Sequence, residues 1–348
     1  MARHDLGDME RIRLTLQTWM RQHIPGGEQL ELGELTFPEE SGESSVSLIL
    51  RGENRGRDVG YICRMEPRDS QVFEEHDLLM QYNVMRFVSE HDVPVPPLLG
   101  FEEDTRLLGS EFYLMGFVDG LVPADNPPYV FGSWVTELSE SERETMWENG
   151  LVTLAKIHAI SLEKYDIPGL PQAPADAPPI QHELDKLNSL VTDDISSRMS
   201  PVLARALQYL NANIPSNGVR RLCWGDSRPG NIIWRDLKPA AVIDWEMAGI
   251  ADPLLDVSWW YWVDYVNCVG LGRDRLAGLP ELGDLYSRWQ ALTGLPVERT
   301  RYFDLFSVTR YAIILERKFL AMEKAGMGLV ESYAVPIVAQ LLEQCQTT

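Results

Sequence analysis

Apolar residues recur at helical spacing over residues 8–23, where Ile12, Leu16, Trp19 and Met20 share one side. The period then changes. LELGELTF (30–37), SVSLILRG (45–52) and VGYICRM (59–65) read as three strands, joined by the turn-rich links PEESGES (38–44) and ENRGRD (53–58). A helix is predicted from about Ser70 to Glu90, with Val72, Phe73, Leu78, Leu79, Val84, Phe87 and Val88 as apolar positions. The prolines of VPVPP (93–97) stop it. Two further strands fit PLLGFEE (97–103) and EFYLMGFV (111–118).

Beyond residue 119 the pattern is mostly helical. SESERETMWENGLVTLAKIHAI (139–160) is a long helix opened by a capping box, Ser139 with Glu142 three residues on. Helices are expected near 181–195 and 200–213, a short β-rich region at about 219–244, then helices near 253–270, 281–293 and 298–322 and a last one to about Gln344. A strand-rich front third and a helical remainder with one hairpin predict an α+β plan in two lobes, 1–118 and 119–348.

Composition narrows the classes. The chain has 348 residues, 45% hydrophobic and 24% charged, which excludes wholesale disorder. The net charge of −21 disfavours nucleic-acid and membrane-surface binding. Residues 101–200 carry −12 of that charge and residues 201–348 only −1. The acidity reads as a solubilising surface, or as a field that draws a cationic small molecule. Cys63, Cys223, Cys268 and Cys345 are far apart, against a zinc ribbon or a disulfide framework. The N-terminal stretch lacks the apolar core of a signal peptide, and VSWWYWVDYVNCVGLG (257–272) is too short, with Asp264 inside it, to read as a membrane span. A cytoplasmic protein is the expectation.

Residues 221–257, RLCWGDSRPGNIIWRDLKPAAVIDWEMAGIADPLLDV, concentrate the chemistry. GDSRPGN is a turn-rich loop, and NIIW and AAVIDW are short strands joined by RDLKP. A hairpin brings its ends together, so Asn231 and Asp244 should lie close, with Asp226 across the loop. Two carboxylates and an amide oxygen in one cleft suit Mg²⁺, which takes one or two carboxylates plus substrate phosphates. D-x-x-x-x-N followed by Asp at a strand end is also the kinase catalytic spacing.

On Trp224-Gly225-Asp226, Asn231 and Ile243-Asp244-Trp245-Glu246, together with the lobe order, the chain resembles the aminoglycoside phosphotransferase-like family, small-molecule kinases of protein-kinase-like fold. Within it, the chain is most similar to the subgroup containing kinase domains fused to acyl-CoA dehydrogenases and bacterial proteins named as aminoglycoside phosphotransferases by resemblance. The resemblance covers nearly the whole sequence. It departs at Trp224, where the family more often has His. It implies transfer of the ATP γ-phosphoryl group to a hydroxyl of a small molecule. Asp226 would orient that hydroxyl or accept its proton, and Asn231 and Asp244 would bind Mg²⁺. Glu246 would support a second metal, and Arg228 would steady the transferring group. Asp256 reads as an anchor of the catalytic loop.

In the small lobe the resemblance places Arg64 on the nucleotide phosphates, where kinases use Lys; Arg offers a bidentate contact. Its helix partner is Gln81 by position or Glu75 by charge. The turn at 38–45 lacks G-x-G-x-x-G but supplies Ser44 and Ser45. Met115 and Phe117 would present backbone groups to the base, with Asp119 at the cleft mouth. No Walker A, H-E-x-x-H or G-x-S-x-G pattern is present. His158 reads as a packed core residue. Two competing expectations remain: a catalytically silent kinase-like scaffold, and a protein kinase, which the missing A-P-E segment opposes.

Overall fold

The computed structural model describes residues 8–38, 46–66, 77–162, 167–326 and 332–347. Its first element is helix α1 (Met9–His23), whose N-cap Asp8 accepts hydrogen bonds from the Glu10 and Arg11 amides. Strands β1 (Leu30–Thr36), β2 (Val46–Asn54) and β3 (Arg57–Met65) follow, then α2 (Leu78–Ser89), β4 (Leu98–Glu102) and β5 (Phe112–Gly116). The five strands form one antiparallel sheet in the order β1-β2-β3-β5-β4. Side chains alternate across it. Leu30, Leu32, Leu48, Leu50, Cys63 and Leu114 face one way and pack under Ile12, Leu16, Trp19 and Met20 of α1. The other face carries Ile62 and Arg64 toward the rest of the molecule.

The helix expected from about Ser70 is described only from Leu78. Asp77 caps it, its carboxylate accepting the Met80 amide at 2.6 Å. Residues 67–76, with Glu74 and Glu75, lie outside the described residues, as do Ser44 and Ser45.

The remainder is α3 (Trp134–Glu137), α4 (Glu140–Ala159), α5 (Gln181–Ser189), α6 (Asp193–Arg198), α7 (Pro201–Ala212), β6 (Arg221–Cys223), β7 (Ile232–Arg235), β8 (Lys238–Val242), β9 (Gly249–Ala251), α8 (Leu254–Cys268), α9 (Leu282–Thr293), α10 (Thr300–Lys324) and α11 (Val335–Gln346). The Ser139–Glu142 capping box opens α4. The segment expected as one helix over 181–195 is two, because Thr192 starts a new one by capping α6. Buried Trp147, Trp224, Trp234, Trp245, Trp260 and Trp289 fill this core. All four cysteines are free. Among the described residues no helix is long and apolar enough to cross a membrane.

Two details position the site. β7 and β8 are joined by Asp236 and Leu237, both at positive φ (51° and 62°), a two-residue turn whose twist suits a tight hairpin. Strand β8 stops at Val242, so Asp244 is not its last residue. Asp244 lies two positions beyond, in the left-handed region at φ 62°. The following residues make β9, unforeseen from sequence, which pairs with β6. Three residues are too few to display a period-2 signal.

Candidate active site

The loop between β6 and β7 is held from beneath by the first turn of α8. Asp256, fully buried, accepts the amides of Trp224 (2.6 Å) and Gly225 (2.9 Å), and Ser227 Oγ donates to the Asp256 carbonyl at 2.7 Å. His158 completes the anchor. Its Nδ1 lies 2.9 Å from the Trp289 indole N–H, which can only donate, so Nε2 carries the proton toward Asp256 at 3.1 Å. The buried trio His158, Cys223 and Asp256 has metal-like proximity, but the histidine and carboxylate are already committed to these bonds.

Gly225 sits at φ 88°, and a Cβ there would fall 2.0 Å from the Met247 carbonyl oxygen. Only glycine fits this turn. Its carbonyl accepts Arg310 Nη2 at 2.8 Å, while Arg310 Nη1 faces Glu183 at 3.3 Å. Trp224 fills the position where the family more often has His. Its indole N–H lies 3.0 and 3.1 Å from the carbonyls of Ile243 and Asp244, tying the two halves of the site together.

Asp226 projects from this loop into a ring of donors. Oδ1 accepts the Trp259 indole N–H at 2.6 Å; Oδ2 accepts Asn231 Nδ2 at 2.7 Å and Arg228 Nε at 3.0 Å. Burial pushes this carboxyl up, but the Arg228 charge and the bonds from Trp259, Arg228 and Asn231 outweigh it and hold it below the usual range. Arg228 also bonds Asp125, so it bridges two carboxylates. The Asn231 carbonyl accepts the Ile243 amide at 3.0 Å, which sets Asp244 beside Asn231. With its nitrogen spent on Asp226, Asn231 has its amide oxygen left for another partner.

Arg64 reaches down from β3, and its Nη2 meets Asp244 Oδ1 at 3.2 Å. Burial disfavours its charge, but Tyr113, Asp244 and Glu246 hold its pKa above the ordinary guanidinium value. Gln81 on α2 is 1% exposed, and neither atom of its amide has a hydrogen-bond partner among the described residues. Met115 is buried in β5 opposite Ile62. The Phe117 amide donates to the Gly60 carbonyl at 3.0 Å, so Phe117 meets the cleft through its ring rather than its N–H. That ring, with Gly60, Asp119 and Arg51, lines a cavity of about 840 Å³. The Arg51 guanidinium stacks on Phe117 at 3.7 Å.

Asp226, Asn231 and Arg228 are therefore joined directly, while Asp244 is tied to them through the Ile243–Asn231 backbone bond and the Trp224 indole, and its carboxylate meets Arg64. Sequence reading missed Trp259, Arg310 and Asp125. Arg310 left a trace, a lone cation in the apolar run FSVTRYAIIL (306–315). Trp259 left none, being one of several aromatics on α8.

Residues 40–292 match the phosphotransferase enzyme family, and the chain belongs to that family. It is 24% identical over 286 residues to mouse acyl-CoA dehydrogenase family member 10, covering 79% of this chain and 25% of that protein. It thus spans only about a quarter of that relative's length. A Ralstonia eutropha JMP134 protein, provisionally assigned as an aminoglycoside phosphotransferase, superposes with a TM-score of 0.70 at 23% identity, covering 95% of each chain. A thermostable aminoglycoside phosphotransferase APH(4)-Ia mutant, in a ternary complex with ADP and hygromycin B, gives a TM-score of 0.57 at 16% identity, covering 94% of this chain and 98% of that one. The fold is the protein-kinase-like one, a small antiparallel sheet lobe with a larger helical region.

Proposed function

We propose that the protein transfers the γ-phosphoryl group of a nucleoside triphosphate, ATP in the simplest case, to a hydroxyl of a small molecule. The observation that carries this reading is Asp226, an ionised carboxylate pinned by three donors beside Asn231 and Asp244. Asp226 orients the acceptor hydroxyl and takes its proton as the new O–P bond forms; the breaking bond leaves its electron pair on the diphosphate. Such catalysis is mainly positioning and charge neutralisation. The donor set fits Mg²⁺. Asn231 has an oxygen to offer, Asp244 is a carboxylate, and Glu246 lies near enough to act on Arg64. Mg²⁺, when bound, neutralises phosphate charge.

The nucleotide reading extends along β3. Gly60, at the 840 Å³ cavity, is four residues from Arg64. That is about 13 Å of strand, a span suited to a base at Phe117 and phosphates at Arg64. Met115 backs the base, Gln81, whose buried amide has no hydrogen-bond partner among the described residues, serves Arg64 once phosphate draws it from Asp244, and Ser44 and Ser45 serve the phosphates. Residues 1–118 form the nucleotide lobe and 119–348 the catalytic and acceptor lobe. Four free cysteines suit a cytoplasmic setting. The −12 charge of residues 101–200 suits a cationic acceptor, and the APH(4)-Ia complex with hygromycin B supports the small-molecule class.

The deciding experiment follows nucleotide consumption across a panel of hydroxyl-bearing metabolites and antibiotics, with Asp226→Asn as control. Consumption that needs both an acceptor and Asp226 supports transfer. Nucleotide binding without turnover across the panel favours a silent scaffold, a reading kept alive by the Arg64–Asp244 pair, which occupies a proposed metal ligand.

A further inference from the structure

A carboxylate offers about four lone-pair sites, two on each oxygen. Asp226 Oδ2 has both filled, by Asn231 Nδ2 and Arg228 Nε. Oδ1 has one filled, by Trp259 Nε1 at 2.6 Å. The side chain is 15% exposed, so an incoming group can reach it. We propose that the acceptor hydroxyl docks on the open lone pair of Oδ1, and that Trp259 is the positioning residue that aims it. The proposal rests on the reading of Asp226 as the hydroxyl-orienting group.

The surroundings of Trp259 leave its ring little freedom. The Arg310 guanidinium lies over its face, 3.9 Å from the centroid, and Tyr311 meets it edge-on at 5.8 Å. Arg310 is itself buried and held by Glu183 and the Gly225 carbonyl. One cation therefore grips both the backbone before Asp226 and the ring that bonds its side chain. A cation over an indole face is attracted to its electrons and draws density from the ring, which makes the N–H a better donor. A bond from that N–H to an ionised acceptor is of the stronger, charge-assisted kind.

The step balances simply. The acceptor oxygen bonds to phosphorus, the bond to the nucleoside diphosphate breaks with its electron pair, and the hydroxyl proton passes to Oδ1 and then to solvent.

The test begins with NMR on the nucleotide-free protein, labelled at tryptophan indole nitrogen. The Trp259 indole proton is expected to lie downfield and to move upfield in Asp226→Asn, which keeps the shape of the side chain and removes its charge. An indole signal blind to that substitution overturns the proposal, and this arm needs no turnover. With an acceptor in hand, Trp259→Phe is expected to lower kcat about 10²-fold, the scale of a misplaced group, with the nucleotide KM little changed. Trp259→His, which keeps a ring N–H, should recover part of the loss. Full kcat in Trp259→Phe, with Asp226→Asn inactive, sinks the role of Trp259 alone. Transfer by Asp226→Asn sinks the catalytic reading of Asp226 and the proposal with it.

Discussion

Arg64 and Asp244 are 180 positions apart in the chain and 3.2 Å apart in space. One stands on the third strand of the sheet, the other just beyond the hairpin of the helical region. Each is less than a fifth exposed. Their pairing is the one place where a charged side chain of the sheet touches the proposed catalytic cluster among the described residues. If Arg64 serves phosphates, Arg64→Ala should weaken nucleotide binding by roughly 10- to 100-fold, the worth of a charge-assisted bond. Arg64→Lys, which keeps charge but loses the fork, should fall between. Calorimetric titration with nucleotide checks both; unchanged affinity in Arg64→Ala removes the phosphate role.

The anchor beneath the loop makes a second prediction. Asp256→Asn replaces an acceptor of two amides by a group that is half donor. The expected cost is about 1–3 kcal/mol of stability from misfed buried donors, with a loss of transfer out of proportion to it. Urea unfolding followed by tryptophan fluorescence measures the first part. A variant as stable and as active as the parent would contradict the anchoring role.

Gly225→Ala tests geometry rather than charge. The added methyl would collide with the Met247 carbonyl and require a φ that alanine resists. Transfer should be lost even where circular dichroism shows a folded chain. An active Gly225→Ala would mean that the loop is not confined to this turn.

Stability should also vary with pH through Asp304. This buried carboxylate accepts bonds from Trp262, Tyr286 and Ser258, joining α8, α9 and α10. Burial raises it to about 6, against the opposing pull of those three bonds. Because the folded form binds the proton more tightly, Asp304 stabilises fully below about pH 3.8 and loses that contribution as pH climbs toward 6. The swing is on the order of 3 kcal/mol. Asp252, also raised by burial to about 6, acts in the same direction. Asp304→Asn should flatten the slope of unfolding free energy between pH 4 and 6; an unchanged slope would exclude Asp304 as its source.

Much of this was readable in the sequence, for identifiable reasons. The α4 capping box is local chemistry, and its Ser139–Glu142 reciprocity appears as expected. The hairpin made legible that Asn231 and the stretch leading to Asp244 lie together, since a short turn leaves its ends nowhere else to go. His158 was legible as core because its neighbours are apolar, and Asp256 as an anchor because it opens a helix. What escaped was long-range. Nothing near Trp259 in sequence says which of the α8 aromatics turns toward Asp226, and nothing near Arg310 says that it clasps Gly225, 85 positions away. Nor does anything local announce that Arg64 pairs with Asp244, 180 positions away.

Trp224, Trp259 and Arg310, which steady Asp226 and its neighbours, all belong to the helical region, and among the described residues only Arg64 intrudes from the sheet. On the proposed reading, the two substrates would have separate mechanical supports. A motion that tilts the sheet would slide Arg64 and a triphosphate held by it, while the Asp226 carboxylate stays still. Evolution or engineering can retune the grip on the donor without disturbing the aim at the acceptor.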